Sequence, residues 1–579
     1  MNQIQQLLTE NIGLWTGADT AKKTGRGRAS GSAGTVYGVK KLRELILELA
    51  VRGKLVAQNF HDESASELLK KIRIEKARLI AEGKIKKDKA AASITEEESP
   101  FPLPHGWEWA RINDFVLSII SGGTPSKNNS EFWNGEIPWA SVKDLNVEKF
   151  LESTQDFITK KGLDAGSKLA EKGSLLICTR MGLGKIAIAA VDVAINQDLK
   201  ALKLTSFFNV DYFVNFYRTL KITGSGMTVA GIRQDELLGY YVPTPPFAEQ
   251  HRIVAKIDEL MALCDQLEAG YTDAAVAHEK LVSHLLATLT ASQDSVDFSA
   301  AWQRIAAHFD MLFTSEASID ALKQTLLQLA VMGRLVPQDP SDEPASALLE
   351  RIQVEKARLV LEGKIKKEKP LAAIIDNEKP FSLPQGWEWV RLQSVIDLRD
   401  GTHSSPKESD GFDTYPLVTS KDFINGGINF HTAKKISKLD HFEISKRSYV
   451  EKYDILFSMI GGNIGNQVMV NDDRQFSIKN VALFKFYNKN LTFPFFIKKY
   501  TENLALNLQS TAVGGAQPFI ALGILRNLVM ALPSFAEQHR IVTKVDELMA
   551  LCDQMKARIA DASALQRKLA DVIVAQAVA

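Results

Sequence analysis

Thr244-Pro245-Pro246-Phe247 is the stretch of this chain closest to a piece of catalytic chemistry. Amino-methylation of adenine uses a four-residue turn of the Asn/Asp-Pro-Pro-Tyr/Phe type, whose first side chain accepts the amino proton. Threonine is the wrong first residue, and the two prolines read better as a stiff lead-in to a helix. Gly182-Leu183-Gly184-Lys185 ends like a phosphate loop, but Thr179 stands at the required first glycine and Ile186 at the Ser/Thr. A turn between two strands, presenting Arg180 and Lys185, is expected there instead. Gly461-Gly462-Asn463-Ile464-Gly465 is too short for a dinucleotide fingerprint. No HExxH, EF-hand loop or Cys/His zinc spacing occurs. His251 and His539 take equivalent places on a first helical turn, which points to packing or capping rather than metal. Glu82-Gly83-Lys84, repeated as Glu362-Gly363-Lys364, has a nuclease-like acid-x-lysine look, yet a glycine stop in a lysine-rich helix end accounts for it. No constellation amounts to an active site.

The elements that would carry any site are organised by repetition. Phe247–Gln266 reads FAEQHRIVAKIDELMALCDQ and returns at Phe535–Gln554, changed only from Ala255 to Thr543 and from Ile257 to Val545. The pattern is helical and heptad-like: Ile253, Ile257, Leu260, Cys264, Leu267, Tyr271, Ala274, then His278, Leu281 and Leu285. The second copy supplies Ile541, Val545, Leu548, Cys552, Met555, Ile559, Ala562, Gln566, Leu569 and Ile573. Pro243, Pro245 and Pro246 block helix upstream, as Pro533 does in the second copy. About 40 residues at ~1.5 Å each make a rod of roughly 60 Å. Two such rods are expected to pack on each other.

Lys41–Arg111 also has a gapless second copy. LELAVRGKLV (Leu47–Val56) returns as LQLAVMGRLV (Leu327–Val336), and SELLKKIRIEKARLIAEGKIKK (Ser66–Lys87) as SALLERIQVEKARLVLEGKIKK (Ser346–Lys367). Both read as helices, with Gly53 and Gly83 placed as stops. PFPLPHGWEWARI (Pro100–Ile112) returns as PFSLPQGWEWVRL (Pro380–Leu392) and reads as extended chain entering a strand. Leu14-Trp15-Thr16 resembles Leu312-Phe313-Thr314, and the Gly/Ser/Arg tract Thr24–Gly34 reads as a solvated loop. The remaining segments, 101–246 and 381–534, agree only in outline, the second being longer. Gly122-Gly123-Thr124-Pro125 pairs with Asp400-Gly401-Thr402-His403, which sets His403 opposite Pro125. Ile137-Pro138-Trp139 through Lys143-Asp144 pairs with Tyr415-Pro416-Leu417 through Lys421-Asp422, and Thr179-Arg180-Met181-Gly182 with Ser458-Met459-Ile460-Gly461. Gly224 through Ile232 pairs with Gly514-Gly515-Ala516-Gln517 through Ile520. One scaffold therefore carries two different surfaces.

At 579 residues the chain is long enough for about three to five folding units. Apolar content of 45% and charged content of 24% are those of a soluble globular protein. No apolar run is long enough for a bilayer and no signal-peptide pattern opens the chain, so a cytoplasmic location is expected. Cys178, Cys264 and Cys552 form no disulfide framework and read as reduced. A net charge of +1 leaves any DNA-binding face to local arrangement.

A nearly invariant helical element alternating with two divergent segments resembles the specificity subunit of Type I DNA restriction-modification enzymes, of the subfamily with an extended N-terminal conserved region. The resemblance rests on the duplicated FAEQHRIV helix start, the IPWASVKDL/YPLVTSKDF pair and the glycine-threonine turns, and covers nearly the whole chain. It implies a mixed α/β (α+β) fold with a pseudo-twofold internal repeat, in which two target recognition domains are separated by a pair of long antiparallel coiled-coil helices. The expected division is 1–100 (N-terminal helical region), 101–246 (first recognition domain), 247–380 (central region with long helix), 381–534 (second recognition domain) and 535–579 (C-terminal helix). The chain would be non-catalytic, bind a bipartite asymmetric duplex target, and dock two methyltransferase and two restriction/translocase subunits. S-adenosylmethionine, ATP and magnesium would belong to those partners, with none on this chain. Correspondence with the family places Thr124, Ser126, Lys127, Ser141, Lys143, Arg180, Lys185 and Arg233 near DNA in the first domain. The second offers Thr402, His403, Ser404, Thr419, Ser420, Lys421, Asn463 and Gln517. An ion pair between Lys143 and Asp144, and a change of target spacing on insertion of residues around Leu260, are further expectations. A stand-alone sequence-specific DNA-binding regulator and a coiled-coil protein scaffold are the alternatives.

Overall fold

The computed structural model describes residues 10–17, 36–85, 99–224, 231–292, 294–510 and 518–578. The tract 24–34, Lys86, Lys87, the glycine-bearing stretches 225–230 and 511–516, and the candidate Gln517 lie outside them. The fold is mixed α/β and divides into two compact units: residues up to Ala274 joined by Ala562–Ala579, and Ala275–Asp561. The long helices run Phe247–Ala291 and Phe535–Val578, so each unit takes the first part of one and the last part of the other.

In the first unit the helix Tyr37–Val51 turns Leu42, Leu45, Ile46 and Leu49 into one core with Ile253, Ile257, Leu260 and Cys264. Ala570 joins that core, and the Tyr37 hydroxyl donates to Asp571 at 2.8 Å. Each such aliphatic side chain contributes about 1.5–3 kcal/mol when fully buried, which outweighs helix propensity here. In the second unit the helix Glu316–Val331 does the same work, setting Ile319, Leu322, Leu326 and Leu329 in a core with Cys552, Val282, Leu286 and Leu289. Burial pushes the Cys178 thiol up to about 12 and Cys264 up to about 11, so both stay protonated and act as small apolar groups.

The seam departs from the expected heptads. Leu281 and Leu569 are half exposed, Ala274 and Ala562 are exposed, and the chain buries Val282, Leu286, Leu289 and Ala570 instead. Cys264 to Val282 and Cys552 to Ala570 are each about five turns of 3.6 residues, so both helices keep the period of a straight α-helix. A strict seven-residue repeat drifts by ~20° per heptad against that period, which moves the buried stripe one position on. Between the two stripes Thr272–Ala277 is exposed on every side.

The repeated FAEQHR start is a set of fasteners. Glu249 is buried and accepts from Trp107 Nε1 at 3.1 Å and Gln58 Nε2 at 3.4 Å; Glu537 accepts from Trp387 Nε1 at 3.0 Å and Gln338 Nε2 at 3.1 Å. Gln250 and Gln538 accept from the backbone N–H of Asn209 and Phe493 at 2.8 and 2.9 Å. Arg252 pairs with Asp62 and Arg540 with Asp342, each at 2.6 Å. His251 meets Phe247 edge-on and His539 stacks on Phe493, so both histidines pack.

Burial raises the Glu537 carboxyl, opposed by the hydrogen bonds from Gln338 and Trp387. Trp387→Phe removes one donor from that carboxylate and is expected to destabilise the second unit by about 1–3 kcal/mol at neutral pH. A raised folded-state value means stability that is present below the ordinary glutamate range and lost as pH rises. The deficit should therefore shrink on acidification, which denaturant titrations at neutral and mildly acidic pH would show.

Each divergent segment is closed by a two-stranded antiparallel ribbon. Glu108–Arg111 pairs with Tyr241–Thr244, and Glu388–Arg391 with Val529–Leu532, so entry and exit of each segment are tied together. Within the first segment a five-stranded sheet runs Val116–Ser121, Leu199–Leu204, Leu175–Cys178, Ile186–Ala189, Phe150–Leu151. A four-stranded sheet runs Asp156–Ile158, Trp133–Ala140, Val193–Ile195, Lys168–Ala170. The second segment has a four-stranded sheet, Ile396–Asp400, Val481–Phe486, Ile455–Ser458, Gln467–Met469, and a three-stranded one around Thr414–Val418. Gly83 ends the helix Ala65–Ala81 at φ +68°, with Lys84 N–H closing on Leu79 O at 2.9 Å, as a glycine stop requires. Thr244 is wholly buried at the end of its strand, directly before the long helix, which leaves no methylating turn there.

Candidate nucleic-acid interface

Strand ends and turns bring the candidates together in each domain. In the first, Gly123 N–H reaches Ile195 O at 2.9 Å; in the second, Thr402 N–H reaches Ile478 O at 3.0 Å. A Cβ on Gly122 would meet Asn196 O at 2.0 Å and one on Gly401 would meet Ile478 O at 2.5 Å, so both positions exclude any larger residue. Gly122 thus corresponds to Gly401, and Thr124, not Pro125, corresponds to His403. The other glycine turn is also one residue away from its expected pairing. Ile232 N–H bonds to Thr179 O and Ile520 N–H to Met459 O, both at 2.9 Å, which sets Arg180 opposite Ile460. Met181 (φ +57°) and Gly461 (φ +75°) take the left-handed position that follows. Letters alone missed this because the second turn carries an extra residue before Gln467.

The Thr124 hydroxyl donates to Gln197 Oε1. Gln197 Nε2 reaches Asp198 Oδ2 at 3.3 Å, and Arg180 Nη1 lies 3.7 Å from Asp198 Oδ1. In the second domain His403 Nδ1 lies 3.2 Å from Asn480 Oδ1 and its Nε2 lies 3.1 Å from Asp400 Oδ2. Asp400 also pairs with Arg447; burial raises its carboxyl, but Arg447 and His403 together hold it below the usual range. Thr402 Oγ1 and Ser404 Oγ are 2.7 Å apart.

The second cluster is the Ser-x-Lys-Asp turn. Asp144 is buried and accepts from Ser141 N–H (2.8 Å), Ser141 Oγ (2.9 Å) and Gln155 N–H (2.9 Å). Asp422 accepts from Thr419 N–H (2.8 Å), Thr419 Oγ1 (2.9 Å) and Thr432 Oγ1 (2.9 Å). The expected Lys143–Asp144 ion pair is replaced by these bonds, because the aspartate faces into the turn and the lysine out of it. Lys143 and Lys421 are exposed, with no ion-pair partner among the described residues. Ser420 lies half-buried beside Lys421. Lys185 Nζ turns inward to Asn146 Oδ1 at 2.6 Å and steadies the turn.

Ser126 and Lys127 are exposed in the loop after Thr124, where Ser126 O accepts from Trp133 Nε1 at 3.1 Å. Arg233 is exposed at a helix start and bonded to Glu236 at 3.2 Å. Asn463 is exposed on the turn Gly461–Asn463. Sequence reasoning missed Gln197, Asp198, Asn480 and the roles of Asp144 and Asp422. The repeated Lys-Asp pair was a usable signal for the last two.

A family model described as the Type I restriction modification DNA specificity domain matches residues 104–275 and 384–562. The Type I restriction enzyme EcoAI specificity subunit of Escherichia coli is 37% identical over 609 residues, covering 99% of this chain and 100% of that protein. The EcoEI specificity subunit of the same organism is 37% identical over 602 residues, covering 98% and 99%. The crystal structure of the HsdS subunit from Thermoanaerobacter tengcongensis shares 18% identity, covering 83% of this chain and 98% of its own, with a TM-score of 0.37. The chain belongs to the Type I restriction-modification DNA specificity family. It is a specificity subunit, a non-catalytic chain that gives such a complex its DNA sequence preference. No helix among the described residues is long and apolar enough to cross a membrane.

Proposed function

We propose that residues 101–246 and 381–534 are two target recognition domains, each reading one half of a split, asymmetric duplex sequence. The single observation that carries this reading is that the same backbone hydrogen bonds present unlike side chains in the two domains, Thr124 against His403 and Arg180 against Ile460. Like turns with unlike tips are what two different half-sites demand, since base edges specify and phosphate contacts position. Regions 1–100, 247–380 and 535–579 form the frame, in which the long helices pair antiparallel, with the straight α-helical period in place of the expected coiled-coil heptads, and measure the unread spacer. Two modification subunits dock on the repeated helices and two restriction subunits complete the complex. Adenine methylation with S-adenosylmethionine, and ATP- and magnesium-dependent translocation and cleavage, belong to those partners, in the cytoplasm.

The DNA-facing set comprises Thr124, Ser126, Lys127, Ser141, Lys143, Arg180, Lys185 and Arg233, with Thr402, His403, Ser404, Thr419, Ser420, Lys421, Asn463 and Gln517 in the second domain. Lys143 and Lys421 are the same residue on the same turn in both domains, which suits a sequence-independent phosphate contact. Lys143→Ala and Lys421→Ala should each weaken binding to all duplexes alike and lower the salt slope of log K by about 1. Titrations of the complex with its modification subunits at several salt concentrations test this. Methylome sequencing of cells carrying the chain and its partners tests the split target: a continuous or symmetric modified sequence would overturn the reading.

A further inference from the structure

We propose that Gln197 and Asn480 are specificity-determining residues, each reading the adenine of an A·T pair in the half-site of its own domain. The inference rests on the reading of both segments as recognition domains and names side chains outside the set given above.

Neither residue is visible from the letters, because Ile195-Asn196-Gln197-Asp198 and Ile478-Lys479-Asn480-Val481 share only their isoleucine. The hydrogen bond at the start of each turn aligns them, while the bonds at its end, Gly122 N–H to Leu199 O and Gly401 N–H to Val481 O, show the second turn to be one residue shorter. Ile195 O and Ile478 O receive the equivalent N–H groups of Gly123 and Thr402, at 2.9 and 3.0 Å. Two residues further on stands a carboxamide in both domains, held by the residue at the other equivalent position: Thr124 for Gln197, His403 for Asn480. The holders differ while the amide is kept.

Gln197 is exposed, whereas Asn196 and Asp198 on either side are buried. A carboxamide has two acceptor sites on oxygen and two N–H donors. The Thr124 hydroxyl occupies one acceptor site of Gln197, and Asp198 Oδ2 takes one N–H at 3.3 Å. The carboxylate fixes which end is nitrogen, so the amide is oriented before DNA arrives. One acceptor and one donor remain, the pair that matches adenine N6–H and N7 in the major groove. Asp198 is itself steadied by Asn196 Nδ2 at 3.3 Å, so the support lies in the core rather than in solvent. Asn480 sits at φ +56°, a left-handed position that asparagine tolerates, and its Oδ1 lies 3.2 Å from His403 Nδ1.

The test uses the complete complex with its modification subunits, and a random duplex library as probe. Gln197→Ala should abolish the preference for A·T at one position of one half-site and weaken the parent target about 10- to 100-fold, leaving the other half-site untouched. Asn480→Ala should do the mirror image. Gln197→Glu, which keeps the shape but loses the donor, should relax the same position. A parent duplex carrying 7-deazaadenine there should bind the unmodified complex more weakly and the Gln197→Ala complex no differently. Uniform weakening on all sequences, or an unchanged profile, would overturn the proposal. A control chain with residues 101–246 exchanged for those of another family member separates the two levels. If that exchange alters one half-site while Gln197→Ala alters none, only the amide reading falls; if it alters neither, the domain assignment itself fails.

Discussion

Arg391→Ala is expected to destabilise the second unit by about 1.5–3 kcal/mol, the usual cost of losing hydrogen bonds made by a charged group. The guanidinium is 7% exposed and donates in five directions. It forks onto Glu378 at 2.7 and 2.8 Å and reaches the carbonyls of Ala372 (3.2 Å), Ala373 (3.1 Å) and Asn527 (2.7 Å). One side chain thereby fastens the link that precedes the second divergent segment to the strand that enters it. Its counterpart Arg111 reaches Gly239 O at 3.4 Å and lies over the Tyr241 ring. The hydrogen bond from Arg391 holds the Glu378 carboxyl below the usual range. A depressed value means stability present above the unfolded-state value and lost as pH falls through the folded one. The gap between parent and variant should therefore narrow in acid. Denaturant midpoints across that range are the measurement, and an unchanged midpoint at neutral pH would refute the fastening role.

Lengthening both long helices by seven residues should lengthen the unread spacer of the DNA target by about three base pairs and leave both half-sites as they are. Seven residues add ~10.5 Å of rise, and a duplex advances ~3.4 Å per base pair. Seven also returns the helix face to within ~20°, whereas four would turn everything downstream by ~40°. Leu260, where the letters first suggested an insertion, is buried in the core of the first unit, and a cut there would break its packing. The exposed turns Thr272–Ala277 and Ala560–Ala562 are the places to insert. The parent target should bind the lengthened complex at least ~100-fold more weakly, since a 2.7 kcal/mol loss corresponds to one misplaced half-site's good base contacts. Selection from duplexes with variable spacing reads the outcome, and retention of the original spacing would remove the measuring role.

Much of the frame was legible in the letters because repetition copies whole elements. Gly53 and Gly83 were readable as stops, and both take positive φ. Thr244–Phe247 was readable as a lead-in, and the strand ends at Thr244. The tips were less legible. Gln197 and Asn480 are related by hydrogen bonds to one backbone position, which no letter pattern records. The buried stripe beyond Tyr271 was misplaced because heptad counting assumes a supercoiled period that these helices do not adopt. Ser141 and Thr419 look like free hydroxyls in the sequence, yet each is turned toward an aspartate three residues on.

The first unit needs Ala562–Ala579 to be whole, with Ala570 in its core and Asp571 bonded to Tyr37. Those residues leave the ribosome roughly 290 residues after Ala274. At ~5–20 residues per second the early half of the nascent chain waits roughly 15–60 s for its last helical turns. During that interval the core around Leu42 and Ile46 lacks Ala570, and Tyr37 and Lys41 lack their partner Asp571.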